Sequence, residues 1–191
     1  MPATVGIILL SHPIIHIIYE RGEFTALDTT KTAEAISAFA LGLPAFVLAK
    51  IIIPIFYANG DTKTPLKITV LTLIANVVLN IILMQWFAHV GIALGTAIAA
   101  WFNIWVSYKY AKKFGKLHLN RSLKSYSLKI LLCSAIMVVV VLLLKYYGGS
   151  YFYSSSMLVK AAYLGATVAA GGLTILVCAA CLNLHKALIS K

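Results

Sequence analysis

One lysine lies inside a long apolar run, and it is the residue of this sequence with the clearest chemical potential. Lys50 falls in the run 33–57, seven residues before Tyr57, so at 1.5 Å per helical residue it lies about 10 Å from that end. Pro44 and Pro54 flank it, and prolines can kink a helix and free carbonyl groups. This placement favours a cavity-lining amine that attracts an anion. Snorkelling of the lysine to a polar boundary is the alternative.

The remaining reactive side chains argue against catalysis and against a metal or cofactor site. The five carboxylates are not paired on a helix face in a catalytic pattern, which disfavours a membrane enzyme acting on lipid-linked sugars; they are Glu20, Glu23, Asp28, Glu34 and Asp61. His12 and His16 share a helix face at i, i+4, which fits a proton relay, a substrate contact or simple packing. Cys178 and Cys181 lack the setting of a redox motif and the further ligands of a zinc site. We therefore predict no metal and no cofactor.

These side chains must be positioned by membrane helices. Hydrophobic residues make up 61% of the chain, charged residues only 11%, and the mean hydropathy is +0.94, which no soluble fold could bury. Six apolar runs are long enough to cross a bilayer as helices: 3–19, 33–57, 66–87, 89–110, 127–147 and 157–184. Continuous runs exclude the alternating strands of a closed barrel. The predicted fold is an all-α polytopic membrane protein with six transmembrane helices.

The distribution of basic residues predicts the orientation of these crossings. If six crossings alternate sides, eleven basic residues fall on the side of both termini and only Arg21, Lys31, Lys145 and Lys160 fall on the other. The positive-inside rule then places both termini in the cytoplasm. Seven of the sixteen basic residues lie in or beside the connection 111–126, where anionic lipid headgroups attract them. No segment forms a solvated domain large enough to bind nucleic acid.

Small and polar residues predict how the helices pack and begin. Small residues four apart allow close backbone contact, and asparagines four apart join helices; these are Gly91 and Gly95, Gly165 and Ala169, and Asn76 and Asn80. The connection at 89–91 is so short that the third and fourth helices should form a tight hairpin. Thr25 and Asp28 form a variant of the capping box. Glu34 is expected to begin the second helix, at the positive end of its dipole.

Three stretches make the chain recognisable. They are I-I-Y-E-R-G-E-F-T at 17–25, A-L-G-L-P-A-F-V-L-A-K-I-I-I-P-I-F-Y-A at 40–58 and G-D-T-K-T-P at 60–65. Together they resemble the carboxyl-terminal part of the MurJ family, also called MviN. Members of that family flip lipid II, the undecaprenyl-linked peptidoglycan precursor, across the bacterial inner membrane during cell-wall biosynthesis.

The resemblance implies a fold, a division and a set of substrate contacts. Family members have about fourteen crossings in a fold shared with multidrug and polysaccharide exporters, and this chain would supply the last six. Residues 1–126 would give four helices of the second lobe, and 127–191 two added helices that form a groove for the lipid tail. Lys50 matches a lysine of the second lobe that suits substrate binding, while Arg21 and Tyr19 match the turn on the opposite side. Transport would proceed by alternating access, aided by Pro44 and Pro54.

The resemblance also leaves alternatives. The first lobe, with most of the arginines thought to engage the substrate diphosphate, is missing, so the chain should need that portion in cis or in trans. One alternative is an exporter of another polyprenyl-linked saccharide, or of a drug, with the same architecture. Another is a non-transporting fragment of a truncated or split gene.

Overall fold

The structure, a computed structural model, describes residues 1–114, 121–152 and 156–181, with the backbone alone at 121–127 and 150–151. All regular structure within these ranges is helical. It comprises α1 (Pro2–Tyr19), α2 (Ala26–Ala40), α3 (Leu43–Ala58), α4 (Lys63–Ala111), a 3₁₀ turn (Lys112–Phe114), α5 (Arg121–Phe152) and α6 (Met157–Cys181).

The length and composition of these helices confirm the membrane class. Five helical stretches in the described residues are long and apolar enough to cross a bilayer: Pro2–Tyr19, Ala26–Ala58, Lys63–Phe114, Leu128–Gly149 and Met157–Cys181. The chain is therefore an all-α, multi-pass membrane protein. The basic connection predicted at 111–126 lies only partly within the described residues.

α2 begins earlier than the sequence predicts. Its first residue is Ala26, so Glu34 lies inside the helix, and the prediction that Glu34 begins it is wrong. The start is set instead by Thr25 and Asp28. The Asp28 carboxylate accepts the Thr25 N–H at 3.0 Å and its hydroxyl at 2.7 Å, while the Asp28 N–H donates to the Thr25 hydroxyl at 3.3 Å. This reciprocal pair satisfies N–H groups that the helix leaves unbonded and confirms the predicted capping box.

The long second run is interrupted between α2 and α3. Leu41 and Gly42 form a turn, and Pro44 lies in the first turn of α3, where its missing N–H leaves no bond unmade. The indole N–H of Trp101 donates to the Leu41 carbonyl at 3.0 Å. A Cβ built on Gly42 would lie only 3.0 Å from the Cα of Ala97. The interruption is therefore held by close contact with the later part of α4.

α4 reverses direction at Ala88, whose φ of 47° and ψ of −123° are not helical. The side-chain amide of Asn103 donates to the Thr72 hydroxyl at 2.9 Å. In a straight helix these residues would be about 46 Å apart, at about 1.5 Å per residue. The segments 63–87 and 89–111 are therefore two antiparallel arms, as the hairpin prediction requires.

Two glycines allow the arms of α4 to approach closely. A Cβ on Gly91 would overlap the backbone carbonyl of Leu83, and a Cβ on Gly95 would overlap the side-chain carbonyl of Asn80. Both glycines are buried. A larger residue at Gly91 would push the arms apart because the atoms in the way are rigid backbone, whereas at Gly95 it would first displace the Asn80 side chain.

The packed residues divide into two compact units, one formed by 1–33 with the described residues from 121 onward and the other by 34–114. The first unit has a core of Leu10, Ile17, Met137, Val141 and Phe152. The second has a core that includes Ala45, Ile52 and Phe56 of α3 with Ile68 and Ile104 of the two arms. The first unit thus groups α1 with α5 and α6, while the predicted division at residue 126 concerns the lobes of a family fold and stays a prediction.

α6 docks on α5 through Tyr163. Its hydroxyl donates to the Leu144 carbonyl at 2.7 Å, and its ring meets Phe152 edge to face with centroids 4.9 Å apart. A Cβ at Gly148 would overlap the tyrosine hydroxyl. Gly148 therefore provides the space that Tyr163 occupies.

α1 contains a buried proline whose missing N–H is replaced from a neighbouring helix. Pro13 cannot donate to the carbonyl of Leu9, four residues earlier. The amine of Lys145, on α5, lies 3.4 Å from that carbonyl oxygen. The freed acceptor is thus offered a charged donor from the helix packed against it.

Candidate functional site

An apolar groove of about 600 Å³ runs between α1, α5 and α6. Its lining is almost wholly aliphatic. The one polar side chain among the lining residues is Thr167, whose hydroxyl donates to the Tyr163 carbonyl at 2.8 Å and so presents little free polarity. The full lining is Met1, Pro2, Ala3, Gly6, Ile7, Leu10, Ile14, Met137, Val141, Thr167, Val168, Gly171, Gly172 and Ile175. Such a surface suits a flexible hydrocarbon chain.

Glycines keep this groove open. A Cβ on Gly171 would make ordinary contact with Val141 at 3.5 Å, and one on Gly172 would meet nothing within 4 Å. On α1, a Cβ on Gly6 would lie 3.8 Å from the methyl group of Met137. Side chains at these three positions would therefore occupy space next to the groove.

A polar cluster joins α1, α2 and α6 at the end of α1. The Nδ1 atom of His16 lies 2.8 Å from the Glu20 carboxylate, and its Nε2 atom lies 3.2 Å from the amine of Lys160. The Thr29 hydroxyl donates to the same carboxylate oxygen of Glu20 at 2.6 Å. We call Lys160, His16, Glu20 and Thr29 the His16 cluster. Three separate helices thus meet through side-chain hydrogen bonds, and the sequence analysis did not predict the contact of His16 with Lys160.

The carboxylate of this cluster is held in its ionised form. The hydrogen bond from Thr29 is the largest cause that lowers the pKa of Glu20 below its ordinary value of 4.5, followed by the bond from His16. Both bonds favour the charged carboxylate because each supplies a donor to it. The cluster therefore contains a fixed negative charge between an imidazole and a hydroxyl group.

Arg21 and Tyr19 flank the His16 cluster, and both are exposed. The Arg21 guanidinium donates to the Ile17 carbonyl at 3.3 Å, which satisfies one acceptor at the end of α1. The Tyr19 ring packs against Phe24 with centroids 6.0 Å apart. The two predicted substrate contacts are thus neighbours on one turn with open faces.

Lys50 belongs to the other unit. It is exposed on α3, and within the described ranges no hydrogen bond or ion pair reaches its amine. Phe46 and Ile53, on the same side of α3, line a small cavity of about 190 Å³ together with polar side chains of α4, namely Thr72, Asn76, Thr96 and Asn103. Lys50 is exposed and is not among the residues that line this cavity. Pro54 lies within α3, one turn beyond it.

The asparagines of α4 play different parts. Asn103 links the two arms through Thr72, as described above. The Asn80 amide instead donates to Asn76 at 2.8 Å on its own helix, and the Asn80 carbonyl oxygen is buried with no hydrogen-bond partner in the described part of the chain. The predicted pair therefore bonds internally and faces Gly95 of the other arm.

Gly165 and Ala169 lie on the exposed side of α6. A Cβ on Gly165 would meet nothing within 4 Å. The close contacts of α6 in this unit come instead from Tyr163 and Gly171. Small residues at 165 and 169 thus leave a shallow surface free.

The end of α4 carries lysines that cover aromatic rings. The Lys109 amine lies 3.5 Å from the Trp105 ring centroid, and Lys113 lies 5.2 Å from that of Tyr110. Lysine stems over exposed aromatic rings are typical of a helix end at the membrane surface. No cluster of three or more metal-ligating side chains occurs among the residues that the structure describes.

Comparison with known proteins places these features in a family. Residues 1–163 match the family model described as lipid II flippase MurJ. The chain is 57% identical over 171 residues to a probable lipid II flippase of Rickettsia prowazekii. This match covers 90% of this chain and 34% of that protein. The chain is 41% identical over 137 residues to one from Rhizobium tropici, covering 72% and 26%. A lipid II flippase of Thermosipho africanus is 36% identical over 141 residues, covering 72% and 27%. The chain thus spans about a third or less of the length of these relatives.

Proposed function

Because this chain belongs to the lipid II flippase MurJ family, we propose that it forms part of a flippase that moves lipid II from the cytoplasmic to the periplasmic leaflet. The observation that carries this proposal is the family match over residues 1–163, together with an apolar groove bordered by membrane helices. The activity supplies the undecaprenyl-linked precursor for peptidoglycan biosynthesis in the bacterial inner membrane. The family is one of transporters, so the chemistry is relocation and not bond making.

The proposed topology has six crossings with both termini in the cytoplasm, matching the last six helices of a fourteen-helix exporter-like fold. The reversal at Ala88 supports this number, because each arm of α4 has about 24 residues and a length of about 36 Å, enough to cross the hydrocarbon. The interrupted pair α2 and α3 then acts as one crossing. The excess of basic residues on one side supports the orientation.

The groove is the proposed site for the polyprenyl tail. It lies on α5 and α6, the two helices to which the family resemblance assigns that role, and α1 supplies its third wall. A tail held there stays in apolar surroundings while the charged headgroup moves separately. The headgroup thereby avoids the large free-energy cost of entering hydrocarbon.

Lys50, with Arg21 and Tyr19, is the proposed contact for the diphosphate and sugar headgroup. The exposed amine of Lys50 supports this role because no internal partner neutralises it within the described ranges. Movement of α3 during alternating access is proposed to use Pro44 and Pro54. The missing first lobe would complete the cationic cavity in cis or in trans.

Complementation tests these proposals. A bacterium depleted of its flippase should grow when this chain is supplied with the missing portion, and should not grow with the 191 residues alone. Within the complemented strain, Lys50→Ala should slow growth more than Lys50→Arg. Growth supported by the chain alone would overturn the requirement for the missing portion. Equal, unimpaired growth of both Lys50 variants would make the lysine a surface anchor.

A further inference from the structure

The directions of the hydrogen bonds in the His16 cluster depend on which ring nitrogen of His16 carries the proton. A lysine amine can only donate, so the Nε2 atom of His16 must accept from Lys160. The Nδ1 atom, 2.8 Å from the Glu20 carboxylate, must then carry the proton. The neutral ring with its proton on Nδ1 is therefore the form that satisfies both neighbours.

Binding of a second proton to the ring changes Nε2 from an acceptor to a donor and leaves Nδ1 a donor. This proton would bind at Nε2, which would become a donor facing an ammonium group 3.2 Å away. The bond to Glu20 would persist, because Nδ1 donates in either form. Protonation thus breaks the link between α1 and α6 and leaves the link from His16 to Glu20 intact.

We propose that His16 is a positioning residue that holds the start of α6 against the end of α1 only while its ring is neutral, so that acidification releases Lys160 and separates the two helices at this end. Lys160 precedes the groove residue Thr167 by about two helical turns, and His16 follows the groove residue Ile14 on α1. Release would widen one end of the groove. That consequence for transport rests on the proposed function, but the change in helix separation does not.

The other charged groups around His16 do not provide the same switch. Histidine is the side-chain type whose ordinary charge change falls between pH 5 and 8, whereas the ordinary charge changes of lysine, arginine and glutamate fall outside this range. His12, one turn earlier on α1, also acts electrostatically on Glu20 and needs its own control. On the helices packed against α1, Lys145 of α5 donates to the Leu9 carbonyl and Tyr163 of α6 donates to the Leu144 carbonyl, while Arg21 donates to the Ile17 carbonyl.

The test is a distance measurement by pulsed electron paramagnetic resonance on the purified full chain in detergent. Spin labels are attached to Ile18→Cys on α1 and Leu158→Cys on α6, both exposed positions, after the three native cysteines are replaced by alanine. At pH 8 we expect one distance population. At pH 5 we expect a second, longer population that is absent at pH 8.

Three variants separate His16 from other causes. His16→Gln keeps an acceptor and a donor without titrating, so it should give the short distance at both pH values. Lys160→Met removes the donor and should give the longer population at both. His12→Gln should retain the full pH response.

Several results would overturn the inference. They are an unchanged distance in the labelled parent protein, a pH response that survives in His16→Gln, a short distance in Lys160→Met, or a response abolished by His12→Gln. The measurement uses no lipid substrate. A failed complementation with a normal distance response would therefore count against the flippase proposal alone, and the reverse result against the His16 inference alone.

Discussion

The groove between α1, α5 and α6 can be narrowed at Gly172 without disturbing the helices around it. Gly172→Leu places a side chain where a Cβ meets nothing within 4 Å. The matched control is Gly165→Leu on the same helix, where a Cβ also meets nothing but which does not line the groove. Both changes remove a helical glycine and add the same side chain, so they differ only in where that side chain lies.

The expected effect follows from the size of the groove. The groove volume of 600 Å³ is about 20 times the volume of about 30 Å³ that one water molecule takes up in the liquid. The leucine side chain adds four carbon atoms, each of about that size, and together they fill about a fifth of the groove. A tail leaving lipid gains no hydrophobic free energy, and binding must come from packing contacts of about 0.1–0.2 kcal/mol each. Losing about ten contacts costs about 1–2 kcal/mol, a weakening of about 5- to 30-fold.

Binding of a radiolabelled polyprenyl phosphate to the purified chain in nanodiscs measures this effect. Gly172→Leu should weaken binding by the stated factor, and Gly165→Leu should match the unsubstituted chain. Circular dichroism should show the same helical content for all three proteins. Equal affinities for the two variants would refute the assignment of the tail to this groove.

Three further predictions concern stability, measured by thermal unfolding in detergent. Ala88→Gly should raise the unfolding free energy by about 1 kcal/mol, since φ of 47° strains alanine, whereas Ala88→Val should lower it. The pKa of Glu20 is lowered, so its contribution to the unfolding free energy is present above its ordinary value of 4.5 and is lost as the pH falls through the lowered pKa. Glu20→Gln should therefore flatten the dependence of the unfolding free energy on pH below 4.5. An identical pH profile for the variant would contradict this. A double-mutant cycle of Asn103→Leu and Thr72→Val should give a coupling of about 0.6 kcal/mol and at most about 1.7, and zero coupling would remove this bond as a link between the arms.

Local features of the sequence predicted local structure well. Thr25 and Asp28 stand three residues apart with the chemistry of a reciprocal cap, and the structure forms that cap. The hairpin at 89–91 followed from two adjoining runs that were each long enough to cross a bilayer. In both cases the determining residues are close in sequence, so spacing alone carried the information.

The start of α2 shows how two local indications can compete. Glu34 has the charge expected near a helix start, and the cap at Thr25 stands nine residues earlier. The cap prevails because it satisfies specific N–H groups, while a charge acts only through a diffuse dipole. The length of the apolar run favoured the later start, although the polar residues at 28–34 continue the helix without a break.

Contacts between distant parts of the chain were beyond prediction from this sequence. His16 and Lys160 are 144 positions apart, and nothing in the i, i+4 spacing of the histidines points to a lysine on the last helix. The face of α6 that is turned toward the groove was equally beyond prediction from the sequence. Tyr163 docking at Gly148 turns Gly171 and Gly172 toward the groove and leaves Gly165 and Ala169 outside, whereas the small-residue pattern alone marked the latter pair.

The buried proline of α1 has a consequence for how this protein varies among its relatives. Lys145 donates to a carbonyl that is available only because residue 13 lacks an N–H. A lineage that replaces Pro13 with any other amino acid restores the internal helix bond and makes the amine dispensable. Positions 13 and 145 should therefore covary: proline should occur with a long donor side chain, and its loss should permit aliphatic residues at 145.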